Sequence, residues 1–346
     1  MDSQSACAAK RSLLLPLLLL LVTSFAEAAS SSCDDIPHAD HPKALLTNGE
    51  VRAVVFLPDP VKGYYRSTRF DWSGVIPCLA YKGHTYWGEW FPTYDPLVND
   101  SITGPVEELR SEDGGLGYAA AKPGDLFVKI GVGTLRRIDD APYKFITAYP
   151  IVDTGKWTVH ASKQSIRFQQ TLRSPLGFAY VYTKTVRLDK HGAVLSLEHE
   201  LKNIGSKAIV TDVYDHDFFM LDAQPTGPGM TVRFRFTPAS QPSPDNHFDP
   251  ALAKMSGNEI AYLKELQPRQ TVSTYITGYS EKASDYDITV ENANTGAGVE
   301  QTSDSPIAKF YLWSIRSTIS PEAYIHLNVE PGKTQSWKIH YRFFAR

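Results

Sequence analysis

The stretch Trp337-Lys338-Ile339-His340-Tyr341-Arg342-Phe343 sets a large apolar side chain at every second position, with a basic one between each pair. That period of two marks a half-buried β-strand, because successive side chains of an extended chain point to opposite faces. Just before it, Glu330-Pro331-Gly332-Lys333 has turn chemistry and follows a second alternating run at 324–329, so the C-terminus reads as a hairpin. The alternation recurs upstream: Val232, Phe234 and Phe236 oppose Thr231, Arg233 and Arg235. Similar runs lie at 126–135, 157–172, 178–188, 194–201, 209–221, 271–279 and 307–315. From Val51 onward no stretch keeps apolar residues at helical spacing for even three turns. Many short strands at close spacing predict an all-β chain, a large antiparallel sandwich or barrel. Two irregular stretches, 91–124 and 238–257, interrupt the pattern; the first, with Trp87, Trp90, Phe91 and Tyr94 at its entrance, suits the wall of a site.

Composition narrows the partners. The 346 residues are 42% hydrophobic and 21% charged, enough apolar material for a large core. Thirty-five Lys and Arg against 38 Asp and Glu give a net charge of −3, without the basic excess that phosphate neutralisation demands, so nucleic acid is not an expected partner. Aromatics reach 12%; they favour strands and also stack on sugar rings.

Lys10 and Arg11 precede an apolar run, 13–22, and Ala26-Glu27-Ala28 offers the small residues a signal peptidase reads. Residues 1–28 are therefore expected to be a removable signal, 29–45 a mobile leader and 46–346 one domain, secreted or periplasmic. The apolar run, broken by Pro16, is too short for a stable membrane anchor, which needs roughly 20 residues. Without Cys7, Cys33 and Cys78 remain; an oxidising compartment could join them, or they could stay as two thiols. Asn99-Asp100-Ser101 fits a glycosylation sequon.

The densest polar cluster on a strand pattern is 212–222, where Asp212, Tyr214, His216 and Asp222 share one face and Asp215 and Asp217 take the other. A histidine beside a phenol and carboxylates has the means to tune its pKa for acid-base work. A metal site from Asp212, Asp215, His216 and Asp217 is disfavoured, since alternation splits the ligands between faces. His199 reads as a core histidine, and His38 and His41 as part of a solvated leader. The chain lacks zinc-spaced Cys/His sets, a nucleophile elbow and a complete dinucleotide loop, so no metal and no cofactor is implied. The stretch 64–74 brings Arg66, Arg69, Asp71 and Trp72 together; arginine forks and tryptophan faces suit sugars.

Taken together, Ser73-Gly74-Val75-Ile76 with Tyr81-Lys82-Gly83, the Leu201-Lys202-Asn203-Ile204-Gly205 strand end, His216-Asp217-Phe218-Phe219 and Val329-Glu330-Pro331-Gly332-Lys333 resemble the galactose mutarotase-like (aldose 1-epimerase-related) superfamily across 51–346, as a divergent branch. The resemblance implies an antiparallel β-supersandwich with a sugar site on its concave face, and His216 as catalytic acid. The family's second histidine is missing, with none between His84 and His160. Its glutamate base is not evident in 312–322, where Arg316 falls at the expected place. Glu107 and Asp222 stand in as candidate bases. Arg69, Trp72, Trp90, Lys129, Tyr214 and Arg316 are the expected contacts to a mono- or oligosaccharide. The leading expectation is an exported sugar epimerase; a non-catalytic carbohydrate-binding protein and a polysaccharide lyase-like enzyme are the alternatives.

Overall fold

The computed structural model describes residues 1–2, 33–111 and 113–346. Past Asp2, the expected signal segment lies outside the described residues. Among the described residues of 33–346 the regular structure is antiparallel strand, apart from two single-turn 3₁₀ segments, Leu221–Ala223 and Ala283–Asp285. The all-β chain expected from the alternation, and the antiparallel supersandwich implied by the resemblance, are the observed architecture.

A ten-stranded sheet and a six-stranded sheet share one core. The larger runs from Ala253–Ser256 at one edge to Lys156–Ala161 at the other, with the C-terminal strand Thr334–Ala345 between Ala297–Ser303 and Val194–Asn203. The smaller is ordered Ala239–Gln241, Thr271–Thr277, Lys309–Ile315, Thr318–Val329, Ile209–His216, Val106–Arg110. Leu195, Leu197 and Ile339 of the first meet Val213, Ile325 and Leu327 of the second, all buried. The alternation that predicts the strands is thus also what builds the core.

Polar groups are buried between the layers as well. Glu107 reaches across to Lys184 and to His199, whose Nε2 is 2.7 Å from its Oε1. Burial alone would raise the Glu107 carboxyl, but Lys184 and His199 hold it down to about 2. Tyr341 places its hydroxyl 2.5 Å from Asp215 and 2.7 Å from Asp217.

Several expectations change here. Runs 126–135 and 157–172 are each two strands: Leu126–Lys129 and Gly133–Arg136 turn through Gly131, whose φ of +82° suits glycine, and Lys156–Ala161 pairs with Ser165–Arg173. The expected leader is anchored from Cys33 onward. A disulfide joins Cys33 to Cys78, His38 stacks on Tyr94 at 4.0 Å, and Lys43–Thr47 is already a strand on Val51–Phe56. His41 contacts the Lys62 carbonyl and the Tyr94 hydroxyl through its two ring nitrogens, at 2.8 and 2.9 Å. The sequon asparagine is buried: the Asn99 amide donates to the Phe145 carbonyl at 2.7 Å, and its oxygen accepts from Ser67 and the Thr68 amide. No glycan fits on it in this fold.

Candidate functional site

The outward face of the six-stranded sheet floors a cleft of about 600 Å³. On Ile209–His216, alternation sends Val213 and Asp215 into the core and Tyr214 and His216 into the cleft. The strand ends at His216 because Phe218 adopts a left-handed φ of +46°, an uncommon conformation for an aromatic residue. That turn folds the Phe218 ring beneath the imidazole, with centroids 3.7 Å apart. Trp90 stacks on the far side of Phe218 at 4.8 Å, while Phe70 and Trp313 meet the imidazole edge-to-face at 5.7 and 5.3 Å. Rotation of the ring is therefore confined on several sides.

The neighbouring strand supplies a partner. Ile209–His216 pairs antiparallel with Thr318–Val329, and continuing that register brings Glu322 beside His216, Oε1 to Nε2 3.3 Å. Both side chains are about 5% exposed. Burial pushes the Glu322 carboxyl up to about 8, with Arg69 opposing the rise. Burial, reinforced by the positive charge of Arg69, holds the His216 imidazole well below its ordinary value. The other ring nitrogen, Nδ1, is buried without a hydrogen-bond partner among the described residues. Two titratable groups whose environments displace them toward their neutral forms face one another at the base of a cleft, an arrangement typical of acid-base sites.

Arg69 completes one wall. Its guanidinium donates to Glu108 at 3.0 Å, to Asp100 at 2.6 Å and to the Tyr214 hydroxyl at 3.2 Å, and Tyr214 in turn donates to Glu108 at 2.6 Å. Glu108 also accepts from Lys129 at 3.1 Å; against the pull of burial, Lys129 and Arg69 hold its carboxyl below the usual range. Tyr275 and Tyr311 line the opposite side, so the cleft mixes aromatic faces with fixed hydrogen-bonding groups, as saccharide sites do.

Of the residues expected from sequence, His216, Arg69, Trp90 and Tyr214 line this cleft; the others do not. Glu107 points the opposite way from Glu108, into the inter-sheet network, and is fully buried on Lys184 and His199. Asp222 lies past the end of the strand and binds His84 Nδ1 at 2.9 Å and the Thr85 amide. Trp72 is a core residue donating to the Ser67 carbonyl at 2.8 Å. Lys129 sits behind the wall, its ammonium buried on Glu108. Arg316 is half-exposed and paired with Glu265 at 2.7 Å, so the acid facing His216 is Glu322, six residues further on. Its signal in the sequence is an acid on the same face as Tyr324, the face opposite the apolar Ile319, Ala323, Ile325 and Leu327.

No protein-family model matches the chain, and no curated protein matches it in sequence. Solved structures match it in shape. A galactose mutarotase related enzyme from Lactobacillus acidophilus superposes with a TM-score of 0.54 at 10% identity, covering 88% of this chain and 97% of its own. Galactose mutarotase-like proteins from Lactobacillus casei and Clostridium acetobutylicum each give 0.53 at 12% identity, over 87% of this chain and 100% and 95% of theirs. Identities this low speak to architecture, and by architecture the chain has the galactose mutarotase-like fold.

Proposed function

We propose that the protein is a saccharide-binding aldose 1-epimerase-like isomerase in which His216 and Glu322 act as an acid-base pair. Interconverting anomers requires a proton on the ring oxygen and removal of one from the anomeric hydroxyl. Those two oxygens share one carbon, so a closely spaced acid and base can serve both. The His216–Glu322 contact at the cleft floor is the observation that carries this reading. The pair holds one mobile proton: carboxylic acid with neutral imidazole, and carboxylate with imidazolium, carry the same net charge and exchange across the contact. In the second form Glu322 takes the anomeric proton while His216 protonates the ring oxygen. Reclosure on the other face of C1 returns both protons.

The test is anomeric exchange followed by NMR. His216→Ala and Glu322→Gln should each slow exchange by roughly 10²–10⁴-fold while saccharide binding persists, because the pair acts mainly in the transition state. A wild-type protein that binds saccharides and never accelerates their interconversion is a binding module, and the catalytic reading then falls.

A further inference from the structure

We propose that the saccharide this cleft receives carries an anionic substituent, held by Arg110. This rests on the saccharide reading of the cleft but not on catalysis. The cations around the site are not equivalent. Arg69 uses its donors on Glu108, Asp100 and Tyr214, and Lys129 is spent on Glu108 behind the wall. Arg110, two residues after Glu108 on the strand Val106–Arg110, lines the cleft, yet its guanidinium makes no hydrogen bond or ion pair with any described residue. Its guanidinium carbon lies 5.9 Å from the centre of the Phe145 ring, and Glu108 is the acid that most favours its charge.

Lys309 is similar. Its ammonium lies 3.8 Å from the centre of the Tyr324 ring, a cleft residue, and among the described residues no carboxylate stands within ion-pair distance of it. Burial lowers its pKa, Asp212 favours its charge, and Arg110 opposes it; the two cations are thus close enough to repel. The neighbouring acids are engaged elsewhere: Asp212 with His326 Nδ1 at 2.8 Å, Asp100 and Glu108 with Arg69. Asp245 lies by the opposite edge of the sheet, beside Tyr275 and Tyr311. The Arg110 end of the cleft thus holds a cation with no ion-pair partner among the described residues while Asp245 stands at the other end, a polarity that orients an acidic sugar with its charged group toward Arg110. A planar, permanently charged fork with free donors matches a carboxylate or an oxyanion ester, and such charge-assisted bonds are the strong ones.

Calorimetry in a non-phosphate buffer at low salt separates the sources. Galacturonate and trigalacturonate make the carboxylate arm, glucose 6-phosphate the phosphate arm, and galactose, glucose and maltotriose the neutral references. At least one anionic arm should bind tenfold or more tighter than its neutral counterpart. That ratio should collapse in Arg110→Gln and shrink as salt rises with the wild-type protein. Equal or tighter binding of the neutral sugars, no binding of any anionic sugar, or an Arg110→Gln effect that is the same on both classes overturns the proposal. Anomeric exchange measured on the same samples keeps the two readings apart. Preferred binding of an anionic sugar without exchange upholds the anion site and ends the epimerase reading; exchange of neutral sugars with no anionic preference does the reverse.

Discussion

At the scale of single residues, the site is defined by two groups displaced from their ordinary ionisation. Glu322 is raised to about 8 and His216 lies well below 6.5, each principally through burial. In the proposed mechanism the pair needs one mobile proton, so protein-dependent anomeric exchange should fall as pH rises through about 8, where that proton is lost, and hold steady well below the usual histidine range. Rates measured from pH 4 to 9, corrected for the spontaneous reaction, check this, and Glu322→Gln should abolish the alkaline limb. A wild-type rate indifferent to pH between 7 and 9 counts against the pair. His216 and Tyr214 could be placed on a common face from alternation alone, and Arg69 and Trp90 from residue type. Glu322 could not, because its role depends on which residue of a neighbouring strand lies opposite His216. Strand register across a sheet is a property of the fold, and Arg316, the residue nearest the expected place, faces away toward Glu265.

At the scale of elements, the strand Val106–Arg110 was hidden. Val-Glu-Glu-Leu-Arg has no apolar alternation, and residues 91–124 read as irregular. It is nevertheless an edge strand of the cleft sheet, and its two adjacent glutamates point to opposite faces. Glu108 organises the cleft wall; Glu107 ties this sheet to the larger one through Lys184 and His199. Acids on both faces are what removed the sequence signal. Glu107→Ala would leave Lys184 fully buried without its counter-charge, a change that typically costs about 3–5 kcal/mol. Urea unfolding should show that loss. A Glu107→Ala protein of wild-type stability but with exchange abolished would instead restore Glu107 as a base acting directly on the sugar.

At the scale of the whole molecule, the alternation that begins with Trp337 carried the fold: two antiparallel sheets over one core follow from it, whereas the polar layer between them does not. The disulfide from Cys33 to Cys78, on the strand Val75–Tyr81, spans a sequence separation of 45 residues, a bond of the kind that oxidising compartments preserve. The polar layer has a consequence of its own in the hydroxyl of Tyr341, set between Asp215 and Asp217. One phenol has a single hydrogen to give, and although the Gln301 amide also donates to Asp217 at 3.2 Å, two carboxyl oxygens this close to one phenol oxygen call for a proton on one of them, which then donates back. Burial raises Asp215 to about 8 and Asp217 well above its usual range. Folding near neutrality therefore consumes acid from the solvent, and unfolding gives it back. The sign follows: between the unfolded carboxyl range near 4 and about 8, the native state binds more protons than the unfolded chain, so stability declines as pH rises through that window. A weakly buffered sample melted at pH 7 should acidify, and a melt that leaves the pH unchanged would mean that both aspartates are ionised in the native protein.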